Sequence, residues 1–197
     1  MLLGEISVGG LGTGFVSIMM VALLGLFIAG LMIGRTPEYL GYTLGASEVK
    51  SIMLYILIAP VAILVPTAIA LLTDAGLSAM TTNGEAHGLT EVFYAFTSAF
   101  KNNGQNFAGL SANSSFYIVA TAIAMMLGRF ALLIPALALA GKFARSKRRF
   151  HSGSVPTDTI LFGSMVLMTA LVTGALTFLP ALAVGPLAEH FSMFGLS

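Results

Sequence analysis

The chain has 197 residues, 57% hydrophobic and 9% charged, with a mean hydropathy of +0.94. Nine basic and eight acidic side chains are too few to solvate a soluble domain, and a net charge of +1 offers no general attraction to nucleic acid. With no cysteine, disulfide scaffolds and thiolate chemistry are excluded, leaving an integral membrane protein with room for roughly four or five spans.

The first residues, LLGEISVGGLGTGF, carry Glu5 and then Gly9, Gly10, Gly12 and Gly14. So many glycines disrupt a helix and suit an irregular segment packed inside protein. The basic n-region of a cleaved signal is missing here. GLGTG is a weak nucleotide-loop match, because no strand precedes it and an apolar run follows. That run, 15–34, is free of charge and predicts the first span.

Residues 35–50 form a loop carrying Arg35 and Lys50, and 51–73 predicts a second span containing Pro60 and Pro66. The next segment, 74–113, holds Asp74, Glu85, His87 and Glu91 against Lys101. Within it, 89–100 reads LTEVFYAFTSAF, with Val92, Phe93, Phe96 and Phe100 at helical spacing. Thr90 is placed to cap this helix, with Glu91 in its first turn, where the dipole favours an acid. Twelve residues are too short to span a bilayer but suit a re-entrant helix. The polar stretch that follows, Lys101 to Ser111, is punctuated by Gly104 and Gly109. Two readings stand side by side. One is a pore helix whose trailing backbone aims carbonyl oxygens at a dehydrating cation, as potassium filters do. The other is an ordinary external loop with an interfacial helix.

The third span, 116–141, is broken only by Arg129, more than ten residues from either end. A charge at that depth costs roughly 2.5–3.5 kcal/mol, so it is expected to face the bundle interior with a partner. Glu5 is the acid expected at membrane depth, and the two are expected to meet near the pore. The basic run Lys142, Arg145, Lys147, Arg148 and Arg149 follows, and 160–184, with Pro180, predicts the fourth span. Basic residues in short loops mark the cytoplasmic side. Loops 35–50 and 142–159 are therefore expected inside, and 74–113 and both termini outside. His87, His151 and His190 share no metal-ligand spacing and read as surface loop residues.

Four stretches carry a resemblance: AGLMIGRTPEYLG at 29–41, NNGQNFAGLSAN at 102–113, GRFALLIPALALAG at 128–141 and GALTFLPALAVGPLAEH at 174–190. Together they resemble the potassium-binding subunit of the Kdp-type potassium-transporting ATPase. That family implies an all-α membrane fold of four helix–pore loop–helix repeats around one pore. It also implies ATP-driven potassium uptake across a bacterial inner membrane, with hydrolysis on a separate P-type ATPase subunit. By this resemblance the chain is not itself an enzyme. Its bound species is the potassium ion, with no organic cofactor. Its partners are membrane lipid, the catalytic ATPase subunit, small accessory subunits and the N-terminal repeats of its own subunit, with no nucleic acid among them.

The resemblance assigns Asn102, Asn103 and Gly104 to the fourth filter strand. Lys101 departs from the asparagine or similar polar residue the family pattern suggests. Glu5 with Gly9, Gly10 and Gly12 resembles the intramembrane loop beneath the filter, and Arg129 an arginine facing it. Residues 1–50 then match the end of the third repeat and 51–141 a complete fourth repeat, with pore helix 89–100 and filter loop 101–114. A basic loop (142–159) and a final span with an external C-terminus (160–197) complete the chain. The match covers the C-terminal third or so of the family's subunit, so a partial chain supplying one filter strand is expected. A self-assembling potassium pore and a non-transporting assembly or regulatory protein remain the alternatives.

Overall fold

The computed structural model describes residues 14–82, 88–147 and 156–194. Its elements run in order: α1 (Gly14–Ile33), β1 (Glu38–Tyr39), β2 (Tyr42–Thr43), α2 (Ala46–Leu72), α3 (Asp74–Leu77), α4 (Gly88–Phe100), α5 (Ser115–Met126), a π turn (Leu127–Ala131), α6 (Leu132–Arg145) and α7 (Ile160–Met193). Among the described residues, four helices are long and apolar enough to cross a membrane: α1, α2, the continuous helix Ser115–Arg145 and α7. The expected all-α membrane fold is therefore observed.

The helices run further than hydropathy alone implies. α2 starts at Ala46, ahead of the apolar run, with Glu48 in its first turn accepting the Gly45 amide at 3.0 Å. An acid there satisfies a donor that the helix leaves open. α7 continues through both Pro180 and Pro186 to Met193, so His190 lies on a helix rather than in a loop. It is exposed, its ring 4.7 Å from that of Phe194. The link between α1 and α2 is not plain loop either. Glu38 pairs with Thr43 and Tyr39 with Tyr42 in a small antiparallel hairpin. Its central residues Leu40 and Gly41 both have positive φ, 50° and 83°, as a two-residue hairpin turn requires.

The described residues fall into two compact units, 58–130 with 174–194, and 14–57 with 131–173. In the second unit α1 is joined to α2 by a buried 2.7 Å hydrogen bond between the Ser17 and Tyr55 hydroxyls. Gly25 of α1 lies against α7, where an added Cβ would come within 2.9 Å of Thr169 Oγ1. The Lys142 ammonium donates to the Ser47 carbonyl at 2.6 Å and to Ser51 Oγ at 2.9 Å, binding the end of α6 to the start of α2.

The first unit is built around α4. The expected helix over 89–100 forms, starting at Gly88, which puts Thr90 inside its first turn rather than before it. Nor does α4 show one buried stripe: Glu91, Val92, Phe93 and every residue from Ala95 to Phe100 are buried. A helix enclosed on nearly all sides belongs to the interior. Phe96 packs on Tyr117 of α5, ring centroids 5.9 Å apart, and Phe93 on Phe178 of α7 at 6.2 Å.

Candidate functional site

The chain reaches α4 and leaves it at the same place. Met80 and Leu110 form an antiparallel bridge, with the Thr81 amide donating to the Gly109 carbonyl and the Ser111 amide to the Ala79 carbonyl, each at 2.8 Å. Thr81 Oγ1 adds a second bond to the Gly109 carbonyl, also at 2.8 Å. The helix and the polar loop after it are thus one excursion with joined feet. Gly109 is tightly enclosed here. A Cβ on it would overlap Thr82 Oγ1 and lie 2.7 Å from Oε1 of the buried Glu91.

α4 ends in a Schellman motif. The Asn102 amide donates to the Ala99 carbonyl and the Asn103 amide to the Ser98 carbonyl, both at 2.9 Å. Asn102 itself sits at φ 57°, in the left-handed region that such a terminus needs and that asparagine tolerates better than most residues. Its side-chain amide donates back to the Phe100 carbonyl at 3.2 Å and makes a long 3.5 Å contact with the Met125 carbonyl. The chain then turns again at Gly104, φ 70°. The next amide, Gln105, donates to the Ser98 hydroxyl at 2.6 Å. Tyr94 Oη donates to Gln105 Oε1 at 3.1 Å, its ring 4.7 Å from that of Phe107.

The main-chain amides of Asn102, Asn103 and Gln105 therefore all point into α4. Among the described residues, the carbonyls of Asn102, Asn103 and Gly104 accept no hydrogen bond. Such carbonyl oxygens at the C-terminal, partly negative end of a short helix can take the place of a cation's hydration shell. Lys101, just before them, has its ammonium 5.7 Å from the Phe100 ring centroid.

Beneath the helix end, the π turn brings Gly128 against the backbone of α4. A Cβ on Gly128 would overlap the carbonyl oxygen of Phe100. Arg129 follows in the same π turn, four residues beyond Met125, with its side chain exposed in this chain. Of the residues singled out from sequence, Asn102, Asn103 and Gly104 are brought together on one turn of backbone. Glu5, Gly9, Gly10 and Gly12 lie outside the described residues, as do His87 and His151.

Sequence reading missed Ser98 and Gly128. Ser98 could have been flagged as a small polar residue in an aromatic helix, one turn before the loop. Gly128 carries no local signal, because what makes it necessary is a carbonyl 28 positions away.

Comparison with known proteins gives a consistent picture. The family profile described as the potassium-transporting ATPase A subunit matches residues 1–191. The chain is 50% identical over 195 residues to the potassium-transporting ATPase potassium-binding subunit of Laribacter hongkongensis, covering 98% of the chain and 34% of that relative. It is 51% identical over 198 residues to the protein of the same name from Pectobacterium carotovorum, covering 100% and 35%. The Mesorhizobium japonicum protein of that name is 48% identical over 194 residues, covering 98% and 34%. The chain thus spans about a third of the length of the curated relatives it matches.

Proposed function

The chain belongs to the potassium-transporting ATPase A subunit family, and we propose that it binds and translocates potassium as part of an ATP-driven uptake pump. One filter strand comes from this chain, the carbonyls of Asn102, Asn103 and Gly104. Further strands come from sequence of the kind that makes up the rest of the relatives' length. ATP hydrolysis takes place on a separate P-type ATPase subunit, and small accessory subunits complete the assembly in a bacterial inner membrane. α4 is a re-entrant pore helix. Loops 35–50 and 142–159 face the cytoplasm and 74–113 the outside, with both termini external. Glu5 and Arg129 pair beneath the filter and shape the gate there, with the glycines Gly9, Gly10 and Gly12 making the intramembrane loop.

One observation carries this reading: three consecutive carbonyls at the end of a buried half-length helix have no donor among the described residues. An interfacial helix with an ordinary loop has no reason to bury Glu91, Val92, Phe93 and all of Ala95–Phe100, or to fix the amides of Asn102, Asn103 and Gln105 while leaving the carbonyls of Asn102, Asn103 and Gly104 open.

Gly104 provides the test. Its φ of 70° strains any residue with a Cβ by about 1–2 kcal/mol, although nothing lies within 4 Å of where that Cβ would sit. Gly104→Ala therefore distorts the strand without a clash. Uptake should be followed in cells whose only potassium route contains this chain. The expected result is an apparent KM for potassium raised roughly tenfold. An unchanged KM would remove Gly104 from the filter. Potassium flux through the purified chain alone in liposomes would instead favour a self-assembling pore.

A further inference from the structure

Resting on that potassium reading, we infer that Ser98 is the positioning residue of the filter strand, its two oxygens aiming the carbonyls of Asn102 and Gly104. Ser98 is 0% exposed and lies in the last turn of α4. Its main-chain carbonyl accepts the Asn103 amide at 2.9 Å, and its hydroxyl accepts the Gln105 amide at 2.6 Å.

The described peptide bonds are trans. In a planar trans peptide the N–H and the C=O of one unit point in opposite directions. The Asn103 amide belongs to the same unit as the Asn102 carbonyl, and the Gln105 amide to the same unit as the Gly104 carbonyl. Drawing both amides onto Ser98 therefore turns both carbonyls away from α4. The unit between them, which carries the Asn103 carbonyl, is held at each end by these two.

Packing gives this stretch little other support. A recess of about 140 Å³ lies against the loop, lined by Ala95 and Ala99 of α4, Gly104, Gln105, and Tyr117 and Thr121 of α5. Space surrounds the Cβ position of Gly104 as well. With a void beside it, and two residues at positive φ within three positions, the strand depends on hydrogen bonds for its direction. The main-chain bond to Asn103 is part of the helix ending and survives any side chain at position 98. The hydroxyl bond does not. Its acceptor is the one part of this device that the genetic code can vary.

The test compares Ser98→Ala, Ser98→Cys and Ser98→Thr with the parent in the membrane-embedded assembly. Ser98→Ala leaves the Gln105 amide without its acceptor, Ser98→Cys keeps the volume with a poorer one, and Ser98→Thr keeps the hydroxyl. Hydrogen exchange read by mass spectrometry at residues 103–105 should rise roughly tenfold for alanine, less for cysteine, and return toward the parent for threonine. Uptake should show the same order in apparent KM for potassium and in preference for potassium over sodium, with maximal rate less affected. A structural role alone lowers the amount of folded assembly and leaves KM and ion preference unmoved. Unchanged exchange at 103–105 in both the alanine and cysteine variants would overturn the clamp. Raised exchange with unchanged KM and preference would overturn its role in the filter. If the parent takes up no potassium, the transport reading falls with the filter role, and the exchange data still decide the clamp itself.

Discussion

Gly128→Ala sets two physical effects against each other in the π turn beneath α4. By helix propensity the substitution is favourable, by up to about 1 kcal/mol. Against it stands the overlap of the new Cβ with the carbonyl oxygen of Phe100. That obstacle is backbone, at the end of a helix whose residues Ala95–Phe100 are all buried, so it cannot swing aside as a side chain would. Overpacking of this kind costs about 1–3 kcal/mol, sometimes more. The clash wins, by up to about 2 kcal/mol after the propensity gain is subtracted. For a chain of this size that lowers the melting temperature by up to roughly 8 °C. The control is Gly141→Ala in α6, where nothing lies within 4 Å of the new Cβ. There the propensity term acts alone, and the melting temperature should hold or rise by roughly 2–4 °C. Thermal unfolding in detergent can be followed by circular dichroism at the helix band, which suits a chain with no tryptophan. Propensity alone ranks the two substitutions equally. Equal shifts for both would therefore refute the claim that α4 rests on Gly128.

Two further outcomes are expected. The Ser17–Tyr55 hydrogen bond should show in a double-mutant cycle of Ser17→Ala and Tyr55→Phe as a coupling of about 0.6 kcal/mol, the usual value inside a bilayer. Zero coupling by equilibrium unfolding would mean that the bond contributes nothing. Glu5→Gln should lower both stability and potassium transport if Glu5 is the partner of Arg129, with charge reversal at both positions restoring part of the loss. The pairing fails if neither property changes.

What the sequence disclosed, and what it concealed, follows from the range of each interaction. The four spans were legible because hydrophobic length is read along the chain. Their ends were not, since α2 starts early by way of Glu48 and α7 runs through Pro186, and neither depends on hydropathy. The short helix α4 was legible from its length and its aromatic spacing. Its burial on nearly every side was hidden, because the enclosing residues Tyr117 and Phe178 come from later helices. The hairpin at Glu38–Thr43 turns on a leucine with positive φ, for which no propensity argues. The polar stretch from Lys101 to Ser111 stood out because polar residues and glycines between two apolar helices are conspicuous, whereas Asn102, Asn103 and Gly104 within it were marked only by the family resemblance. The serine that directs them was concealed inside the helix, its bond to Gln105 set only by the fold.

Two helices of this chain end in the same way, and comparing them explains a choice of residue. At the end of α1 the Arg35 amide donates to the Gly30 carbonyl at 2.9 Å and the Gly34 amide to the Leu31 carbonyl at 3.3 Å, with Gly34 at φ 65°. This is the motif seen at the end of α4, with glycine where α4 has Asn102. Glycine meets the backbone requirement at no steric cost, and Pro37 soon prevents the helix from resuming. Asparagine tolerates the angle less well, so its presence at 102 calls for a second reason. Its side-chain amide supplies one, occupying the Phe100 carbonyl that a glycine would leave open. Gly128 closes on that same carbonyl from the π turn. The last carbonyl of α4 is thus engaged from two sides, while those of Asn102, Asn103 and Gly104 are left without donors among the described residues. Under the potassium reading, this fixes where the acceptors of the filter strand begin. The ending of a helix, rather than a separate scaffold, draws that line.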